Sequence, residues 1–167
     1  MEIRRARHHD LEHIMAIYAY ARDYMKEAGN PDQWHDNHPP QGLIEADIES
    51  GCCYVCVDNE DTLAVFYFNV EDDPTYSKID GKWLNDEAYG VVHRIARAKN
   101  AKGAGAFALE WCMQQQSNIR IDTHKDNTPM LKLLEKLGFV YCGVIWLTNG
   151  DERLAYQYIR HNILYPV

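Results

Sequence analysis

The sequence predicts a mixed α/β fold whose sheet runs parallel where helices cross over it. Three observations carry this. The hydrophobic period turns from helical to strand-like at about residue 52, a hairpin of two β-rich runs follows, and the second half alternates strand, helix, strand, helix before closing on two strands. The count is about seven strands, in one domain over residues 1–167, a length that suits one core and does not suggest two.

The elements follow in order. "EIRRA" alternates weakly and is a candidate first strand. From Asp10, a candidate N-cap, Leu11, Ile14, Met15, Tyr18, Ala21 and Met25 recur at helical spacing until Gly29 stops the helix. "GNPDQWHDNHPP" is dense in turn residues and reads as loop. Leu43, Ile44 and Ile48 mark a shorter helix from Leu43 to Glu49. "CCYVCV" and "TLAVFYFNV" then flank the turn "DNED" as a hairpin. After the polar stretch "EDDPTYSKIDGKWLND" comes the strand "GVVHRIA", and Phe107, Ala108, Trp111 and Cys112 give the next helix its apolar face. "NIRIDTH" is a strand. "NTPMLKLLEKLG" is a helix with Pro129 in its first turn and Gly138 at its end. "FVYCGVIWL" and "ERLAYQYI", joined by "TNGD", are the last two strands.

Charge and composition exclude several classes. The chain has a formal net charge of -8, which argues against general nucleic-acid binding, because that needs an excess of Lys and Arg. No apolar run reaches the length of a membrane span, and "MEIRRARHHD" lacks the apolar stretch of a secretory signal, so a cytoplasmic protein without membrane partners is expected. Cys52, Cys53, Cys56, Cys112 and Cys142 are odd in number and sit among apolar residues, which fits reduced thiols. Cys53-x-x-Cys56 has no second cysteine pair to complete a zinc site.

Against this acidic background, "RAKNAKGAGAFALEW" gathers Arg97, Lys99 and Lys102 around two glycines where a strand feeds a helix. A helix N-terminus offers unpaired N–H groups and partial positive charge, and Gly103 and Gly105 let the backbone close on anionic oxygens. The fragment has no Gly-Lys-Ser or Gly-Lys-Thr and no third glycine, so it is neither a Walker A loop nor a dinucleotide fingerprint. A phosphate site of another kind remains.

From "HRIARAKNAKGAGAFALEWC" through "RIDTHKDNTPMLKLLEKLGFVYCGV" the chain resembles the GNAT superfamily of acyl-CoA-dependent N-acetyltransferases. Three marks stand in register: Gly103-Ala104-Gly105, Asn127 after the strand "RIDTH", and "EKLGF" ending at Phe139. The resemblance implies a twisted, partly parallel sheet with helices on both faces, and acetyl-CoA as cofactor. It implies that backbone amides of Lys102, Gly103, Ala104, Gly105 and Ala106 hold the pyrophosphate. The main chain near Ile95 and Arg97 would pair with the pantetheine arm, Asn127 would touch that arm, and the thioester would enter between the splayed strands. Two positions depart from the family: Asn100 stands where it prefers Arg or Gln, and Leu134 where a Tyr often serves the leaving thiolate. The general acid is unassigned.

Acyl transfer to an amine needs a base, an oxyanion donor and a proton for sulfur. His93 and His124 are the candidate bases, each weighed against a structural histidine; Tyr141 and Cys142 are weaker proton donors, and Asp122 is structural by default. Asp32 and Trp34 on the loop "GNPDQWHDNHPP" are candidate substrate contacts, able to accept a cationic amine by carboxylate and ring face. His35 and His38 lack a third convincing ligand, so no metal is expected. The expected activity is acetyl transfer from acetyl-CoA to a primary amine of a small molecule or peptide, by direct attack in a ternary complex. The alternative is a noncatalytic acyl-CoA-binding module, and the aromatic-rich C-terminal half is compatible with a homodimer.

Overall fold

The computed structural model describes residues 1–161; residues 162–167 of the expected domain lie outside them. Strands β1 (Glu2–Arg5), β2 (Cys53–Asp58), β3 (Asp61–Val70), β4 (Asp80–Gly81), β5 (Gly90–Arg97), β6 (Asn118–Thr123), β7 (Val140–Trp146) and β8 (Glu152–Ile159) form one sheet. Its order is β1-β2-β3-β5-β6-β8-β7-β4. The eighth strand, beyond the seven read from the sequence, is the two-residue β4, too short to show a period. It exists because Gly81 and Gly143 lie backbone against backbone: a Cβ on Gly81 would sit 2.1 Å from the Cys142 carbonyl oxygen.

Helices α1 (Leu11–Glu27) and α2 (Gln41–Glu49) cover one face of the sheet, and α3 (Ala104–Gln115) and α4 (Thr128–Lys136) the other. Ile14, Ile17, Tyr18 and Ala21 from α1 pack with Ile44 and Ile48 of α2 onto Val55, Val65 and Ala96. Ala108, Leu109, Cys112 and Leu134 pack onto Phe66, Phe68, Val92, Ile119 and Ile121. Strand alternation therefore sorts β3 between two cores, as its period of two requires. Asp10 stands at the start of α1 but does not cap it. Its carboxylate turns back to accept two 2.8 Å hydrogen bonds from Arg4, and it is 3% exposed.

One departure from regular pairing positions the site. β5 and β6 are parallel neighbours only at Gly90↔Ile119 and Val91↔Arg120, and beyond Val91 the β6-facing edge of β5 has no strand partner. On its other edge β5 bulges. Val65 faces Ala96 while Tyr67 faces His93, so one extra residue is accommodated, and Arg94 takes φ 51°. Plain alternation groups Arg94 with Val92 and Ala96. The bulge instead sets its guanidinium 4.9 Å from the ring centre of Tyr67, the residue opposite His93.

Candidate active site

The divergence of β5 from β6 opens onto two adjoining cavities that share Ile95, Asn127 and Met130 in their walls. One, of about 150 Å³, is a mostly apolar groove running from Gly105 and Leu133 past Tyr24, Met25 and Arg97. The other, of about 330 Å³, is polar and includes Trp34, His38, Asp73, His93, Arg94, Thr123 and Arg153.

At the groove's outer end lies the N-terminus of α3. Gly103 occupies the N-cap position at φ 85°, a conformation that suits glycine, and nothing lies within 4 Å of where its Cβ would be. Among the described residues, the N–H groups of Lys102, Gly103, Gly105 and Ala106 have no hydrogen-bond acceptor. The Ala104 amide is spent on the Ala101 carbonyl at 3.2 Å, so the cradle has four free donors where the sequence suggested five. Arg97 lines the groove, its side chain donating to the carbonyls of Ala98 at 3.2 Å and Lys99 at 3.1 Å.

Asn127 caps α4, accepting from the Met130 amide at 3.3 Å, and donates to Gln33 Oε1 at 2.9 Å. Its side chain thus ties α4 to the α1–α2 loop at the junction of the two cavities. Asn30 reaches the same Gln33 oxygen at 2.8 Å, leaving its own Oδ1 buried, without a partner, in the groove wall. A buried carbonyl oxygen without a donor is unusual, and this one lies in the groove wall.

In the polar cavity, His93 Nε2 lies 2.7 Å from Asp73 Oδ2. Asp73 also accepts from the Thr75 amide at 2.8 Å and hydroxyl at 2.7 Å. Burial pushes the Asp73 carboxyl up, but the hydrogen bonds from His93 and Thr75 outweigh it and hold the group at about 2. A carboxylate can only accept here, so His93 Nε2 carries the proton of this contact. Nδ1 has no hydrogen-bond partner among the described residues. His38 lines the same cavity, its pKa lowered to about 4 by burial and by Arg94, Arg153 and Arg22, so its ring is neutral near pH 7. Arg94 is spent on Asp47, at 3.0 and 2.7 Å. The Thr123 hydroxyl is buried with no partner.

The two candidate bases are not brought together. His124 lies in a neighbouring cavity of about 380 Å³ beside Asp32, which shares His35, Asp151 and Arg153 with the polar one; it accepts from the Asp126 amide at 3.1 Å and is held below its ordinary pKa by burial and by Arg153. Asp32 lines that neighbouring cavity and His93 the polar one. Trp34 does line the polar cavity, but at 8% exposure it is a core residue, edge-on to Tyr18 at 5.6 Å between ring centres. Cys142 is buried against Tyr76 and Ile145 with its thiol pKa raised by burial, and Tyr141 is 53% exposed; neither lines these cavities. Leu134 is fully buried in the α3–α4 core. Asp122 accepts from the buried Tyr76 hydroxyl at 2.7 Å.

Sequence reasoning missed Asp73, Arg153 and His38 as neighbours of His93. For Asp73 a signal existed: "DPTY" is a cap residue followed by proline, and Asp73 does cap the short 3-10 turn Pro74–Tyr76. Arg153, sitting in a regular strand, carried none.

The sequence matches no family model and no curated protein. Solved structures do match. A GNAT-family acetyltransferase from Streptococcus agalactiae is 30% identical over 96% of this chain and 96% of that one, with a TM-score of 0.88. A GNAT-family acetyltransferase from Listeria monocytogenes is 19% identical, over 95% and 94%, with a TM-score of 0.70. The yncA protein of Salmonella typhimurium, solved with its cofactor acetyl-CoA, shares the fold at 14% identity, over 99% and 97%, with a TM-score of 0.65. With nearly the whole of the Streptococcus chain matched at that identity and its strand divergence in place, the protein belongs to the GNAT family of acetyltransferases.

Proposed function

We propose that the protein transfers an acetyl group from acetyl-CoA to a primary amine of a small molecule or peptide, by direct attack in a ternary complex. The observation that carries this is the continuity of three features: free amides at the start of α3, an apolar groove along the unpaired edge of β5, and a polar cavity holding the His93–Asp73 pair.

The residues present fit the cofactor. The N–H groups of Lys102, Gly103, Gly105 and Ala106 bind diphosphate oxygens, with Lys102 adding charge. The groove takes the pantetheine arm, whose amides match the orphaned Asn30 Oδ1 and the unpaired edge of β5. When bound, acetyl-CoA supplies an activated acetyl thioester. His93 Nδ1 takes a proton from the acceptor amine, while Asp73 holds the ring and stabilises the imidazolium that forms. Main-chain N–H groups along the β6-facing edge of β5 serve as oxyanion donors, and the Thr123 hydroxyl holds a proton in the cavity that no other group takes. Among the described residues no helix is long and apolar enough to cross a membrane, which is compatible with a cytoplasmic enzyme.

A second reading, a noncatalytic acyl-CoA-binding module, is favoured by the burial of Leu134 where the family often carries a tyrosine. Thiol release from acetyl-CoA across a panel of amines separates the two. Turnover that is lost in His93→Gln with CoA binding retained supports the enzyme; tight CoA binding with no turnover on any amine supports the module.

A further inference from the structure

Arg153 enters the acceptor cavity from β8, near its start, and is only 4% exposed. Arg94, the other guanidinium in that wall, is matched to Asp47. Arg153 has no such match. It donates to two backbone carbonyls, Glu152 at 2.9 Å and Gln33 at 2.7 Å, and among the described residues no carboxylate lies within ion-pair distance of it. The nearby acids are committed elsewhere. Asp122 takes the Tyr76 hydroxyl, and Asp151 takes the Asn149 amide at 3.0 Å and lies 3.6 Å from His35. Both act on Arg153 only at longer range, and burial lowers its pKa from the ordinary value. A guanidinium keeps its charge in a protein, and carries five N–H donors of which two are spent here. Buried charges are normally paired, because taking one out of water is costly. This one lines the polar cavity and also its neighbour beside His124.

We infer that the acceptor amine carries a carboxylate, and that Arg153 binds it while His93 faces the amine. The inference deepens the function proposed above and rests on it for the identity of the second group. The cavity walls suit both ends of such a molecule. The Asp73 carboxylate beside His93 favours an ammonium, Arg153 favours an anion, and a volume of about 330 Å³ accommodates an amino acid. Discrimination follows from desolvation. An acceptor that lacks the carboxylate leaves Arg153 buried and unpaired, so it is rejected more strongly than the loss of one contact suggests.

The test uses matched ligands on the wild-type protein: glycine, β-alanine, γ-aminobutyrate, glutamate, lysine and methionine, each beside its carboxamide. The Arg153 Nε–H resonance, assigned by its loss in Arg153→Lys, is followed by NMR as each is titrated in the presence of CoA. Thiol release is measured in parallel. A saturable shift with at least one acid, and none with its amide, is expected, together with kcat/KM favouring that acid by about 100-fold or more. Arg153→Met should raise KM for the acid and abolish the preference, and Arg153→Lys should restore part of it. No shift with any acid, or equal response to acids and amides, overturns the inference. Turnover of amides alone overturns it while leaving acetyl transfer intact. Binding of acids without turnover of any amine leaves the carboxylate site standing and removes the proposed reaction instead.

Discussion

His93 on β5 and Asp73, which caps the turn after β3, meet at 2.7 Å although twenty positions of chain separate them. The contact makes one ring nitrogen a donor and leaves the other without a partner among the described residues, in the cavity where β5 and β6 part. It follows that His93→Gln should lower kcat by about 100-fold or more, the usual contribution of a positioned general base. Asp73→Asn should lower it by about 10- to 100-fold, since it disturbs orientation and tautomer and not the base itself. Steady-state kinetics with CoA affinity measured in parallel checks both; unchanged kcat in His93→Gln removes the histidine from the mechanism.

The two glycines of the α3 cradle should fail in different ways. Gly103 is at φ 85° with open space around its Cβ position, so Gly103→Val costs stability, about 1–2 kcal/mol, through backbone strain. Gly105 is helical and lines the groove, where an added Cβ meets only Leu133 at 4.0 Å. Gly105→Leu should therefore fold normally but raise the Kd for CoA by about tenfold or more, the scale of one lost or blocked contact. Thermal melts and CoA titrations, run on both variants, separate strain from obstruction.

Stability should fall on the acid side in two stages. His38 is held at about 4 when folded against an ordinary 6.5, so between these values the unfolded chain binds a proton the folded one refuses. Stability is then lost as pH falls from 6.5 through about 4. Asp73, at about 2 against 3.8, adds a loss as pH falls from 3.8 through about 2. Denaturant melts from pH 7 to pH 3 should show the slope, and His38→Gln should flatten its upper part while leaving the lower part in place.

Leu134 is fully buried among Leu109, Phe139 and their neighbours, so restoring the family's tyrosine should not restore an acid. Leu134→Tyr is expected to overpack this core by about 1–3 kcal/mol and to leave kcat no higher. A rise in kcat with a shifted basic limb of the pH profile would show that the side chain can reach the thiolate after all.

Much of this protein was legible in its sequence because it is written in local signals. The periodicity of α1, the β-rich hairpin of β2 and β3, Pro129 in the first turn of α4 and the Gly-x-Gly at α3 each act within a few residues, where hydrogen bonding and backbone freedom decide the conformation. Seven of the eight strands are long enough to declare themselves, and β4 is not. The active-site partnerships were a different matter. Plain alternation puts Arg94 and His93 on opposite faces unless a bulge exchanges them, and whether the extra residue is there is decided only once the partner strand is in register. Nor could spacing say that Asp73 would hold His93, that His124 would line a neighbouring cavity, or that Arg153 would have no carboxylate within ion-pair distance. Those outcomes depend on which loops close over the sheet, and electrostatic pairing acts through space between residues that the chain keeps far apart.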